Sequence, residues 1–477
     1  MLEVVFCLEI FFYVEGKWCI MAEKLKRRYG LLTATCLVVG TVIGSGIFFR
    51  NVDIFAAIGG NMAIGIAAWV VGGLITLSFA YVFGTLAAQD EEASGLSYFA
   101  RKLVGERFGY IMNWYMATMF MPSITGVLAW ISGSFTTQLF FPYATTGVNA
   151  AFSGHTYIFA LFYLVAIYVM NELSPKLSEK FHVSCTFIKV IPLIGMGIIG
   201  TIVGLINGTT AYNLTYVPVV DAASQAVESP FFAALLATAF AYLGWDVVVS
   251  LSKEIKDVKK NLPKALTIGM IIVITIYVAY FVGLFSAAPV ESLGSQAGIR
   301  GAFEGLFGNA AGTILFVFII ISCLGTLNGL VMASGRMFYI LSSNNTGPRQ
   351  EIFSQLDRAT KMPANSMALS LLIIAFWMLV SAGNHMGIYG DFVFNVPNLM
   401  PISFKAFMIP IFIAVMIKVK SLNVFNRFIA PLVAMAGAAF LVYAIIYREG
   451  TGVLVFAVIF TVLTGIGLLF EKSKKRT

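Results

Sequence analysis

The chain alternates apolar runs with short polar connections, and each run is long enough to cross a bilayer. Spanning the hydrocarbon core takes roughly 20 apolar residues in a helix. Runs of that order occupy 31–49, 61–88, 108–141, 154–171, 183–206, 231–252, 264–286, 305–341, 363–382, 392–417, 427–447 and 451–470. Without water to satisfy the backbone, such runs must close their hydrogen bonds internally as helices. Composition agrees, because only 11% of the 477 residues are charged, where a soluble domain carries about 25%. The chain is therefore expected to be an all-α, polytopic membrane protein of about 12 transmembrane helices in one bundle.

The formal net charge of +8 would by itself suggest an acidic partner such as nucleic acid. Its distribution says otherwise. On the side of the amino terminus the connections hold 24 Lys and Arg, against Arg50, Arg300 and Arg448 on the other. Cytoplasmic connections carry the basic excess, so both termini are expected to be cytoplasmic, in the cell membrane. The charge is a topology signal, and no nucleic acid partner is implied.

Residues 1–20 fit no targeting signal. They mix Phe6, Phe11, Phe12, Tyr13 and Trp18 with Glu3, Glu9 and Glu15, without a basic start or a small-residue cleavage site. Met21 opens a more ordinary beginning, so this leader is expected to reflect the choice of start site. Cys7, Cys19, Cys36, Cys185 and Cys323 show no metal-like spacing, and inert apolar thiols are expected. No metal and no cofactor is expected. His155, His182 and His385 fall in connections and span ends, and no HExxH, GxSxG or GxxxxGK[ST] pattern is present. An enzyme and a nucleotide-driven pump are thereby disfavoured. A channel would want repeated filter sequences or charged rings, and neither is visible.

Two runs are interrupted at their centres. The first holds Gly44-Ser45-Gly46 within Val42-Ile43-Gly44-Ser45-Gly46-Ile47-Phe48, and the sixth holds Phe240-Ala241-Tyr242-Leu243-Gly244-Trp245-Asp246. Glycine costs a helix about 1 kcal/mol relative to alanine, and irregular backbone survives at membrane depth only against protein or a cavity. Breaks in the first and sixth of twelve spans point to two five-span halves in opposite orientation, with a site at the midplane. The expected organisation is a segment 1–30, a repeat 31–206, an inverted repeat 231–417, two peripheral helices within 427–470 and a tail 471–477. A broken helix offers free N–H groups and positive charge at one lip and free carbonyls at the other. A carboxylate suits the first and an ammonium the second, so a zwitterionic amino acid suits both.

These motifs resemble the amino acid–polyamine–organocation superfamily, and most closely its bacterial L-type and amino acid permease branches. The resemblance adds Glu254-Ile255-Lys256-Asp257-Val258-Lys259-Lys260-Asn261-Leu262-Pro263 after the sixth run, and Gly325-Thr326-Leu327-Asn328-Gly329 with Ser334-Gly335-Arg336 in the eighth. It covers essentially residues 25–470. It implies a LeuT-type 5+5 inverted repeat with discontinuous first and sixth helices. Sodium-independent secondary transport of amino acids by alternating access is implied, either as exchange or as proton-linked uptake. A bundle with spans 1 and 6 would rock against a scaffold of spans 3, 4, 8 and 9. By the same resemblance, backbone near Ile43, Gly44, Ser45 and Gly46 would receive the substrate carboxylate. The carbonyls of Val42, Phe240, Ala241 and Leu243 would receive the amino group. Some L-type relatives join an accessory glycoprotein through an external cysteine. The external segment 142–156 has none, so no covalent subunit is expected.

Charges within spans cost about 2.5–3.5 kcal/mol even on insertion scales, and they mark functional candidates. Lys189 matches the position where sodium-independent relatives carry a lysine in place of the ion; it either cycles protons or acts as a fixed charge. Asp246 and Lys405 are candidates for reading substrate charge, with neutral substrates ranked before cationic and acidic ones. Arg336 lies near a span end and is expected to snorkel to the headgroups. Blander readings stand beside these. Gly40 and Gly44 form a small-xxx-small packing pattern, and Lys189 with Asp246 could be a structural pair. Asn328 is a candidate ligand residue that more often serves as a helix–helix hydrogen bond. Tyr242 and Trp245 either cap the pocket or pack.

Overall fold

In the computed structural model the described residues are Tyr13–Val14, Lys17–Trp18, Arg27, 29–90, 95–141, 154–216, 230–386, Ile388 and 396–471. Most of the leader, most of the 142–156 connection and nearly all of the tail lie outside them. Tyr13–Val14 pairs antiparallel with Lys17–Trp18, and among the described residues the other regular elements are helices, apart from an isolated bridge between Tyr29 and Ile255.

Among the described residues, twelve helical segments have the length and apolarity of membrane spans. In order they are Leu31–Phe48, Met62–Gln89, Glu106–Phe140, Gly154–Leu173, Pro175–Asn207, Pro230–Ser250, Val258–Ala287, Ala310–Ser343, Ala364–Asn384, Asn398–Lys418, Phe425–Glu449 and Thr451–Leu468. Each coincides with one of the apolar runs. The first span continues further than hydropathy suggests: its second helix, Gly46–Ile58, runs through Arg50, Asn51 and Asp53. Arg50 is buried there and paired with Asp53 at 2.7 Å, which removes the polarity that ended the apolar run. Ser295 caps a further helix, Gln296–Phe307, in the connection after span 7, accepting from the Gly298 N–H.

The spans sort into two layers. Span 2 packs on span 7, span 7 on span 1, and the first half of span 6 on spans 1 and 2. Span 3 packs on spans 4, 8 and 9, and span 8 also on spans 4 and 9. Span 5 bridges the layers by touching spans 1, 7 and 8. Spans 3 and 6 are almost wholly buried, whereas span 12 exposes an apolar stripe of Leu454, Val458 and Val462.

Arg336 does not snorkel. It is buried, and its guanidinium meets Glu254 at 2.9 Å, with both side chains nearly inaccessible. Glu254 follows span 6, and its carbonyl accepts from the Tyr29 N–H at 2.9 Å while Lys256 N–H returns to the Tyr29 carbonyl. One buried ion pair and one backbone bridge thus join the starts of spans 1 and 7 to the end of span 8. A buried arginine needs a buried counter-charge, and the partner lies 82 residues away in sequence, beyond the reach of local reasoning.

Candidate substrate site at the two helix breaks

Both interruptions are real breaks. The first half of span 1, Leu31–Val42, stops at Ile43, which is extended (φ −71, ψ 96), and a new helix starts at Gly46. The first half of span 6, Pro230–Ala241, stops before Gly244, which is left-handed at φ 108, and Trp245–Ser250 follows. The halves pack crosswise, each first half against the other span's second half. Glycine is required at the crossing. A Cβ on Gly46 would lie 2.6 Å from the Ala241 Cα, and one on Gly244 would lie 2.6 Å from the Thr41 carbonyl oxygen. Gly244 has also a backbone conformation that other residues rarely adopt. Thr41 Oγ1 ties the breaks together by donating to the Gly244 carbonyl at 2.9 Å.

A cavity of about 40 Å³ lies between the lips. Val42, Gly44, Ser45, Gly46, Phe240, Ala241 and Leu243 line it, joined by Thr41, Gly244 and Thr326. Ile124 and Leu128 of span 3 and Leu330 of span 8 form its apolar side. A π-helical turn at Met116–Phe120 precedes the span 3 pair, a feature frequent near functional sites. No charged side chain is among the lining residues. At the start of the helix at Gly46 the leading N–H groups precede any intrahelical acceptor, Phe48 N–H turning back to the Ser45 carbonyl at 3.0 Å, and Ser45 Oγ is buried without a hydrogen-bond partner.

The carbonyl lip is partly engaged. Tyr277 Oη lies 2.9 Å from the Val42 carbonyl and 3.1 Å from that of Ala241, with its one proton shared between them. The Phe240 carbonyl accepts from Leu243 N–H. Each carbonyl has two lone pairs, so an incoming ammonium can share these acceptors with the phenol. Tyr277 is held by Trp69 and Tyr242, with ring centroids 5.2 and 5.1 Å away. On the side opposite the amino terminus, Arg50 lies over the Phe240 ring at 4.9 Å and donates to Asn398 of span 10 at 3.0 Å.

Lys189 is wholly buried at the end of the first half-helix. Its ammonium donates to the carbonyls of Gly40 (2.6 Å), Ile43 (2.5 Å) and Ser322 (3.3 Å) and to Thr326 Oγ1 (3.1 Å). A cation surrounded by carbonyl and hydroxyl oxygens occupies the type of environment a hard metal ion would take. It makes no pair with Asp246. Thr326 also donates towards Gly40 and Ile43, and Ser322 Oγ towards the Gly44 carbonyl.

Other candidates lie off the cavity. Asn328 bonds Asn171 at 2.7 Å and Ser178 at 3.0 Å, tying span 8 to spans 4 and 5. Tyr242 points to the Trp69 carbonyl at 2.8 Å, and Trp245 packs on Phe83 at 5.8 Å. Asp246 and Lys405 are buried but absent from the lining. His182 is not at a span end; it is wholly buried in span 5 against Gly40, beside Thr186. Gly40 is thus a packing glycine, while Gly46 and Gly244 serve the crossing. Sequence reasoning missed Tyr277, Ser322 and Thr326. Thr326 sits in the small-residue run Gly325–Gly329 that carried the resemblance, whereas Tyr277 gave only the weak signal of a tyrosine at mid-span.

The family described as "Amino acid permease" matches residues 29–471. The chain is 29% identical over 360 residues to the serine/threonine exchanger of Bacillus subtilis, covering 75% of this chain and 77% of that protein. It is 24% identical over 342 residues to the human cystine/glutamate transporter, covering 72% and 66%. It is 24% identical over 347 residues to the Asc-type amino acid transporter 1 of Mus musculus, covering 71% and 63%. The matched stretch thus spans about two thirds of the length of these animal relatives.

Proposed function

From the premise that this chain belongs to the amino acid permease family, we propose that it exchanges small neutral amino acids across the cytoplasmic membrane by alternating access, independently of sodium. The observation that carries this reading is the cavity between the two breaks, which offers backbone polar groups at both lips and no charged side chain. Free N–H groups at Ser45 and Gly46 would take the carboxylate, and the carbonyls of Val42, Ala241 and Leu243 the ammonium. Main-chain recognition leaves the side chain to Ile124, Leu128 and Leu330, which favour a short one. The serine/threonine exchanger named above is a relative of that substrate class. Lys189 would replace a coupling ion, holding the carbonyls that sodium would otherwise organise.

In this reading the layer with spans 1, 2, 6 and 7 moves against spans 3, 4, 8 and 9. Residues 31–206 and 231–417 act as the two inverted repeats, both termini are cytoplasmic, and the work is transport without covalent catalysis. Purified protein in liposomes, preloaded with an unlabelled amino acid or empty, tests it with labelled serine, threonine, alanine, leucine, arginine and glutamate at pH 5.5 and 7.5. Uptake of serine, threonine or alanine only into preloaded vesicles is expected. Equal uptake into empty vesicles driven by the pH gradient would replace exchange with proton-linked uptake, and preference for arginine or glutamate would overturn the neutral assignment.

A further inference from the structure

Span 10 carries a second buried lysine in a setting that repeats that of Lys189. Lys189, on span 5, donates to the carbonyl of Gly40, and the half-helix that contains Gly40 ends two residues later at Val42. Lys405, on span 10, donates at 3.3 Å to the carbonyl of Ala239, and the half-helix that contains Ala239 ends two residues later at Ala241. Both lysines are almost inaccessible, and both precede a proline within their helix, Pro192 and Pro410. Spans 5 and 10 are the fifth members of the two proposed repeats. The last carbonyls of a helix have no intrahelical donor and carry partial negative charge, and at membrane depth they must find a donor within the protein. Each repeat answers that need with a lysine from its own fifth span.

The two settings differ in their acceptors. Lys189 has four oxygens around it. Lys405 has the Ala239 carbonyl and, as an electrostatic neighbour, the carboxylate of Asp246 from the second half of span 6. Asp246 is buried, and its Oδ2 has no hydrogen-bond partner. The two make no direct ion pair, but Asp246 is the opposite charge that bears on Lys405, and a buried charge far from any opposite charge is disfavoured. Neither lines the cavity, and side-chain charge reading is a poor account of them.

We propose that Lys405 is the second repeat's counterpart of Lys189, a positioning residue that anchors the broken end of span 6 to span 10 with Asp246 as its counter-charge. The inference rests on the repeat assignment and the substrate site proposed above. Because Lys405 touches the moving half-helix and not the cavity, its loss should slow the transport cycle more than it weakens substrate binding.

The test uses the full chain in liposomes and labelled serine exchange. Lys405→Met should lower the maximal rate at least tenfold and change KM less than threefold, and Lys405→Arg should restore at least a third of the rate. The double variant Lys405→Met with Asp246→Asn should recover the melting temperature in detergent but not the rate. Wild-type rate in Lys405→Met, or full recovery of rate in the double variant, would overturn the proposal, the latter leaving only a structural ion pair. A gain of arginine or glutamate exchange in the single variants would do the same and restore substrate charge reading. If wild-type protein exchanges no amino acid of the panel, the transport reading fails instead. Melting then decides the anchor alone: Lys405→Met and Lys189→Met should both destabilise, with Lys405→Arg rescuing, and an unchanged melt in Lys405→Met refutes it.

Discussion

At the scale of residues, the site depends on a few positions where only one side chain fits the geometry. Gly46→Val would place branched carbon where a Cβ is already 2.6 Å from the Ala241 Cα, forcing the two half-helices apart. Loss of serine binding is expected while protein remains in the membrane, and wild-type uptake would refute the carboxylate assignment. Lys189→Ala would leave the carbonyls of Gly40 and Ile43 without their ammonium donor. Thr326 Oγ1 has one proton and can serve only one of them at a time, and a buried polar group left unpaired costs about 1–3 kcal/mol. A fall in exchange of at least tenfold is expected, and a rate unchanged from pH 5 to 8 would remove Lys189 from coupling. The two glycine breaks and Lys189 were visible in the sequence because each violates the rule for a spanning helix. Tyr277 was not, since a mid-span tyrosine violates nothing until its hydroxyl is seen between two broken helix ends.

At the scale of elements, the junction of spans 1, 6, 7 and 8 rests on Arg336 and Glu254. Removing one partner of a buried ion pair costs about 3–5 kcal/mol, so Arg336→Met should lower the melting temperature in detergent markedly. Adding Glu254→Gln should recover part of the loss, because the buried carboxylate that Arg336 neutralised is then gone. A single variant that melts like the wild type would show that the pair is solvated in the membrane protein. Sequence position alone suggested a snorkelling arginine, and hydropathy cannot distinguish an arginine at a span end that reaches headgroups from one that reaches a carboxylate of another span. The same limit ended the first apolar run too early at Arg50, which the fold buries through Asp53, Asn398 and the Phe240 ring.

At the scale of the whole molecule, the basic excess on one side predicts both termini in the cytoplasm. A carboxy-terminal reporter that is active only in the cytoplasm checks this, and one active only outside would invert the topology. The sequence by itself determined the number of spans, the places where two of them break and the membrane setting. Those follow from helix length against bilayer thickness and from the local cost of glycine and charge in hydrocarbon. Only the tertiary structure decided which oxygens surround Lys189, that Lys405 meets Ala239, that Asn328 bonds Asn171 and Ser178 off the cavity, and that the cavity is small and lined by no charged side chain. These are distances between segments remote in sequence, and no periodicity or local propensity records which faces of two buried helices will meet.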